Sequence, residues 1–266
     1  MSSVPVVSVL GLEYSFGERK VVRGLSFDLN RGDILSFIGP NGVGKTTALR
    51  AIAGILPLDR KHGSGVVKYL GQDFLQLSSR ERAQRVVYLT GDVRVEFPLT
   101  AFELVQLGRL SAHSTFLAEI SGDDYERIRR AMELCGCWEL RSRDYQTLSG
   151  GERQLVCFAR GVAQGAQVLF LDESFSRLDL HHQARIGEVL NQLAQEGFSF
   201  VLVSHDFNFV LEYSTQCLAW PADGNVVQGS ARELMDDALV SRLYPNARIF
   251  TGKNPRTGAP KLFFDR

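Results

Sequence analysis

The chain has 266 residues, with 30 basic side chains balanced by 30 acidic ones and 44% hydrophobic residues. That length supports a substantial core, the composition argues against global disorder, and the zero net charge gives no basis for a broad nucleic-acid or lipid footprint. Only six of the basic residues are lysine, and one of them is Lys45.

In chain order, residues 4–16 and 21–29 read as strands around a turn at 17–20. Residues 34–38 (ILSFI) form a short run apolar on both faces, as a buried parallel strand should be. A glycine-rich turn follows, then a helix over 45–56, a short polar helix over 78–84 and a strand over 86–90. From 95 to 165 the pattern is helical, over 100–110, 123–135 and 152–164, which suggests an insertion in an α/β chain. The α/β alternation then resumes with strands at 168–171, 199–203 and 216–220 and helices at 180–195 and 207–213. The tail over 245–266 shows little periodicity and receives no role. No apolar run nears the roughly 18 residues of a membrane helix. The N-terminus has no basic segment followed by a long apolar one, so it does not read as a secretion signal. The four cysteines form no CxxC pair and read as buried small residues in a reducing compartment.

The glycine-rich turn, Gly39-Pro40-Asn41-Gly42-Val43-Gly44-Lys45-Thr46-Thr47, fits G-x-x-x-x-G-K-[ST] between a buried strand and a helix. Its glycines let successive backbone N–H groups point at phosphate oxygens, and the helix dipole favours the same anion. Lys45 supplies a point charge for the β- and γ-phosphates, and Thr46 a hydroxyl for Mg²⁺. A random chain of this composition matches the pattern roughly 0.6% of the time, so a chance glycine loop is the weaker reading.

Val168-Leu169-Phe170-Leu171-Asp172-Glu173 is a buried strand ending in two acids at the ligand edge of a doubly wound sheet. Beside a phosphate loop, Asp172 reads as the Mg²⁺ ligand and Glu173 as the group that orients or deprotonates an attacking water. A second buried strand ends in Ser204-His205-Asp206, where His205 can reach a γ-phosphate or the catalytic acid. Leu148-Ser149-Gly150-Gly151-Glu152 reads physically as a helix start, with Ser149 as cap and paired glycines that admit an anion.

Taken together, the phosphate loop, the helical insertion, LSGGE, VLFLDE, SRLD and the SHD histidine resemble the ABC-type ATPases across nearly the whole chain. The resemblance implies an α/β fold: a P-loop NTPase with a RecA-like core, an N-terminal antiparallel β subdomain and an inserted helical subdomain. A single ABC domain would then span 1–266. About 1–90 and 165–245 would form the β subdomain and core, about 92–164 the helical subdomain, and 246–266 a tail. It further implies that two such chains pack head to tail around two ATP molecules. Ser149 and Gly151 of the LSGGE segment would then act on the other chain's ATP, and Asp179 would lie near the seam. Phe16 matches the residue that stacks on adenine, with Tyr14 as its rival.

The sequence departs from the family at three places. A glutamine that usually ends the strand entering the helical subdomain is Gly91 here, with Asp92 as the nearest substitute for contact with Mg²⁺ or water. Ser174 stands at a usual proline position and Arg177 at a usually small one. The missing glutamine suggests slower or more loosely coupled hydrolysis.

The stretch Phe97-Pro98-Leu99-Thr100-Ala101-Phe102-Glu103-Leu104-Val105-Gln106-Leu107-Gly108-Arg109 resembles subunits that energise uptake of iron–siderophores, haem or cobalamin. The expectation is an ATPase at the cytoplasmic face of the cell membrane, paired as a homodimer with a second ATPase subunit; the alternative is a soluble single-chain ABC ATPase of another pathway such as Fe–S assembly. Its other partners would be a multi-span permease and, indirectly, a substrate-binding protein, but no nucleic acid.

Overall fold

The computed structural model describes residues 4–59, 61–91, 93, 95–112, 121–175, 178–221, 225–245, 248–255, 258 and 260–264. The first sheet is antiparallel and follows from a hairpin: β1 (Val7–Phe16) and β2 (Arg19–Leu29) alternate buried and exposed residues around Gly17. Two further strands complete it, β3 (Ile34–Ile38) belonging elsewhere: β4 (Gly63–Tyr69) pairs with β1, and β5 (Gln72–Asp73) with β4, in the order β2-β1-β4-β5. The sequence pattern did not mark β4, whose GSGVVKY buries only Val67 and Tyr69 among its seven residues.

The second sheet holds β3, β6 (Val86–Thr90), β7 (Val168–Asp172), β8 (Ser199–Val203), β9 (Gln216–Ala219) and β10 (Val227–Ser230). Its order is β10-β9-β3-β8-β7-β6, and only β10 runs antiparallel to its neighbour. β3, β7 and β8 are buried at every position, because helices or the other sheet cover both faces. Alternate residues of one strand serve different cores. Leu169 and Leu171 join a cluster with helical residues such as Leu155 and Leu190, whereas Val168 and Phe170 pack with Leu49 and the antiparallel sheet.

The helices are α1 (Lys45–Ile52), α2 (Ser79–Arg85), α3 (Ala101–Gln106), α4 (Gly122–Leu134), α5 (Gly150–Gln164), α6 (Leu180–Gln195), α7 (Phe207–Tyr213), α8 (Ala231–Leu234) and α9 (Asp237–Leu243). Helix α1 stops four residues short of the expected end, where Gly54 takes a left-handed conformation with φ +73°. Capping boxes start α2, α3, α4 and α5 at Ser78, Thr100, Ser121 and Ser149. The tail is more ordered than its sequence suggests: β11 (Ile249–Lys253) and β12 (Pro260–Phe264) form a hairpin. Asn208 binds the Leu262 backbone and Asp237 accepts from Thr251, so the hairpin rests on α7 and α9. All four cysteines are buried and free, as expected. Among the described residues, no helix is long and apolar enough to cross a membrane.

Candidate nucleotide site

Parallel pairing sets the site. Thr90 lies opposite Asp172 and Asp172 opposite Val203, while Phe37 also pairs with Val203. The C-terminal tips of β3, β6, β7 and β8 therefore emerge at one edge, and the loops that follow them meet there.

The loop from Gly39 to Thr47 lies closely under its neighbours. A Cβ at Gly39 (φ +143°) would meet the Trp220 carbonyl oxygen at 2.5 Å, and one at Gly44 (φ +108°) the Val21 carbonyl oxygen at 2.7 Å. Only glycine fits either place. Lys45 is 5% exposed, and its Nζ donates to the carbonyls of Gly39 and Pro40, both at 2.7 Å. Burial lowers its pKa to about 8, against the opposing pull of Glu173 and Asp172.

Thr46 Oγ1 donates to Asp172 Oδ1 at 2.8 Å, which brings two hard oxygen donors together at the foot of the loop. The other oxygen, Oδ2, accepts from the Tyr88 hydroxyl at 2.6 Å and lies 3.5 Å from the Arg50 guanidinium. Arg50 Nε in turn donates to the Tyr88 hydroxyl at 2.9 Å. Burial, reinforced by Asp172, raises the Tyr88 pKa, so this phenol remains a donor. Thr46 and Asp172 suit Mg²⁺, which takes oxygen ligands alongside substrate phosphates. Sequence reading missed Arg50 and Tyr88, although Arg50 lies one helical turn beyond Thr46 and so on the same face.

Glu173 follows the strand in a left-handed backbone conformation, φ +51°. Its Oε1 lies 2.9 Å from His205 Nε2. A cleft of about 340 Å³ joins Phe16, Asn41, Lys45, Thr46, Thr47 and Glu173. Phe16 is 53% exposed there, whereas Tyr14 is buried against it with ring centroids 5.2 Å apart. Of the two aromatic candidates, only Phe16 has a free face.

The segment Leu148–Glu152 lies apart, for none of its residues lines this cleft. Leu148 is buried, Ser149 is exposed at the start of α5, and a Cβ on Gly151 would meet only Leu178, at 3.5 Å. Glu152 closes the cap through the Ser149 backbone N–H at 2.7 Å, a bond that lowers its pKa. Asp179 caps α6, accepting from the His182 backbone N–H at 2.9 Å, which lowers its pKa. Asp92, Ser176 and Arg177 lie outside the described residues. Gly108 and Arg109 prove to be packing devices. A Cβ at Gly108 would meet the Arg160 carbonyl oxygen at 2.3 Å, and Arg109 pairs with Asp124 at 2.8 Å while donating to the Ala163 and Gln164 carbonyls of α5.

A family model described as ABC transporter matches residues 22–176. The iron(3+)-hydroxamate import ATP-binding protein FhuC of Bacillus subtilis (strain 168) is 34% identical over 253 residues, covering 94% of this chain and 91% of its own. The hemin import ATP-binding protein HmuV of Myxococcus xanthus (strain DK1622) is 36% identical over 246 residues, covering 90% and 89%. The solved structure of a metal-chelate type ABC transporter in an inward-facing conformation is similar with a TM-score of 0.81 and 26% identity. That match covers 98% of this chain and 97% of the other. With sequence, fold and cleft geometry in agreement over nearly its full length, the chain belongs to the ABC transporter family and is one of its ATPases.

Proposed function

We propose that this chain is the ATP-hydrolysing subunit that energises a membrane importer for an iron chelate, such as a siderophore complex or haem, or for cobalamin. The observation that carries the reading is the cleft itself. It unites Phe16, the glycine loop, Lys45 and Glu173, while LSGGE lies on a separate surface, available to a second copy. The relatives named for hydroxamate and hemin import support the cargo class.

The loop N–H groups and Lys45 receive the phosphates, and Phe16 stacks on the base. Thr46 and Asp172 would hold Mg²⁺, which supplies charge neutralisation on the phosphates. Tyr88 and Arg50 keep the Asp172 carboxylate turned toward Thr46. Glu173 accepts the proton of the attacking water, and His205 fixes that carboxylate through its 2.9 Å contact. Two copies close head to tail, with Ser149 and Gly151 of one facing the ATP of the other and Asp179 near the seam. The helical segment, about 92–164, transmits this closure to a multi-span permease, which in turn serves a substrate-binding protein. ATP can drive the cycle only through tighter binding to the closed pair. The balanced charge suits attachment to the inner face of the cell membrane through a protein rather than through lipid.

Affinity purification of the tagged chain from detergent-solubilised membranes tests the assignment. The expected outcome is recovery of a multi-span membrane protein whose presence raises ATP turnover. Recovery of soluble Fe–S assembly proteins in its place would remove the importer reading and leave the ATPase intact.

A further inference from the structure

Three features around Glu173 converge on one point. The Ser174 hydroxyl donates to the Leu89 carbonyl at 3.0 Å, so a side chain just past the end of β7 binds back to a ladder residue of β6. Ser174 is 6% exposed, and a proline there would have no donor. It would also restrict the backbone of the preceding residue, here the left-handed Glu173. At the tip of β6, a Cβ on Gly91 would meet the Glu173 carbonyl oxygen at 2.8 Å and Gln154 Nε2 at 3.3 Å. Gln154 lies on α5, the helix that begins with LSGGE, and its Nε2 donates to the Gly91 carbonyl at 3.3 Å.

Gln154 is 3% exposed, and its Oε1 has no hydrogen-bond partner among the described residues. A buried acceptor without a donor destabilises, and a leucine of similar size would fill the space without that cost, losing only the donor to the Gly91 carbonyl. Packing therefore does not account for the amide. Its directional bond to Gly91 does.

We propose that Gln154 and Ser174 are positioning residues that tie the LSGGE helix to the backbone of Glu173, with Gly91 providing the close approach. Movement of α5 then reaches Glu173 through the Gly91 carbonyl and the β6 tip. The proposal rests on Glu173 being the catalytic acid.

The experiment compares Gln154→Leu, Ser174→Ala and Glu173→Gln in the full-length chain, measuring ATP turnover, nucleotide affinity and melting temperature. Gln154→Leu is expected to lower kcat about tenfold through misplacement of the acid. Its nucleotide affinity should stay within about twofold, and its melting temperature should change little, because the unpaired Oε1 is removed while the Gly91 carbonyl loses its donor. Ser174→Ala should also lower kcat, and the double variant should lose less than the product of the two single losses, because both act on one carboxylate. If Glu173→Gln is inactive while Gln154→Leu keeps its kcat, the tie is overturned and the catalytic assignment stands. A kcat loss in Gln154→Leu matched by a fall in melting temperature overturns it as well. If Glu173→Gln turns over at the wild-type rate, the assignment of Glu173 falls and the tie falls with it.

Discussion

Lys45 sets nucleotide binding against the stability of the free protein. Lowering its pKa from 10.5 to about 8 corresponds to about 3 kcal/mol for keeping the buried ammonium charged at neutral pH. Lys45→Met keeps most of the apolar stem and removes that charge. It also withdraws the donor from the Gly39 and Pro40 carbonyls, and leaving them unsatisfied costs about 1–2 kcal/mol. The balance favours the variant by about 1–2 kcal/mol, a melting temperature some 2–6 °C higher for a chain of this size. Between pH 8 and 10.5 the unfolded wild type binds more protons than the folded one, so wild-type stability rises with pH. The advantage of methionine should be complete below pH 8, shrink above it, vanish between about pH 9 and 10 and reverse by pH 10.5, where the wild-type charge cost is gone and the unsatisfied carbonyls remain. Nucleotide affinity should move the other way, by at least about 2 kcal/mol, or some thirtyfold. Thermal unfolding without nucleotide at several pH values, paired with titration of a fluorescent ATP analogue at pH 7, measures both. A variant that melts below wild type at pH 7, with a gap that stays constant up to pH 10, would refute the reasoning.

Three other outcomes follow from the geometry. Phe16→Ala should weaken ATP binding by about 1 kcal/mol or more, through lost stacking, with little change in melting temperature. Tyr14→Ala should instead destabilise the fold by about 3–5 kcal/mol, since its ring is buried; equal melting temperatures for the two variants would contradict this. Glu173→Gln should bind ATP, fail to hydrolyse it and accumulate as a dimer in size-exclusion chromatography. Hydrolysis at the wild-type rate would remove Glu173 from its role. The four cysteines should resist thiol reagents until the chain is denatured, because they are buried, and burial also raises the thiol pKa of Cys135 and, to about 12, of Cys137 and Cys217.

The parallel strands were legible because burial on both faces leaves an unbroken apolar run, and the loop because a cradle for phosphate needs glycines at fixed spacing. β4 escaped because only two of its seven residues face the core, which leaves no apolar pattern to mark it. The terminal hairpin escaped for a related reason: Asn208 and Asp237, distant in sequence, hold it in place. Gly91 was read as a missing glutamine, whose absence suggested slower or looser coupling. The structure adds that its hydrogen atom occupies a space where a Cβ would press on the Glu173 backbone. Gly91→Gln is therefore no simple restoration, since it would displace the acid it was meant to assist. Spacing revealed which residue type was absent, but only the fold revealed what had closed in around it.

The scarcity of lysine bears on the same chemistry. Arginine is the chain's usual cation, and at Arg109 its planar fork binds three acceptors at once, Asp124 through Nε and the Ala163 and Gln164 carbonyls through Nη1. Position 45 has different requirements. Its cation lies beneath a loop held close by Trp220 and Val21 and is itself 5% exposed. On the proposed function it would also pass from the two loop carbonyls to a phosphate, and a compact ammonium on a flexible stem has no fixed fork to reorient. Arg50, one turn further along α1, has the opposite task of holding Tyr88 and Asp172 in one arrangement, which suits a rigid guanidinium. On the proposed function, the two cations of this helix thus divide the work, one exchanging loop carbonyls for phosphate and one keeping the Asp172 carboxylate still.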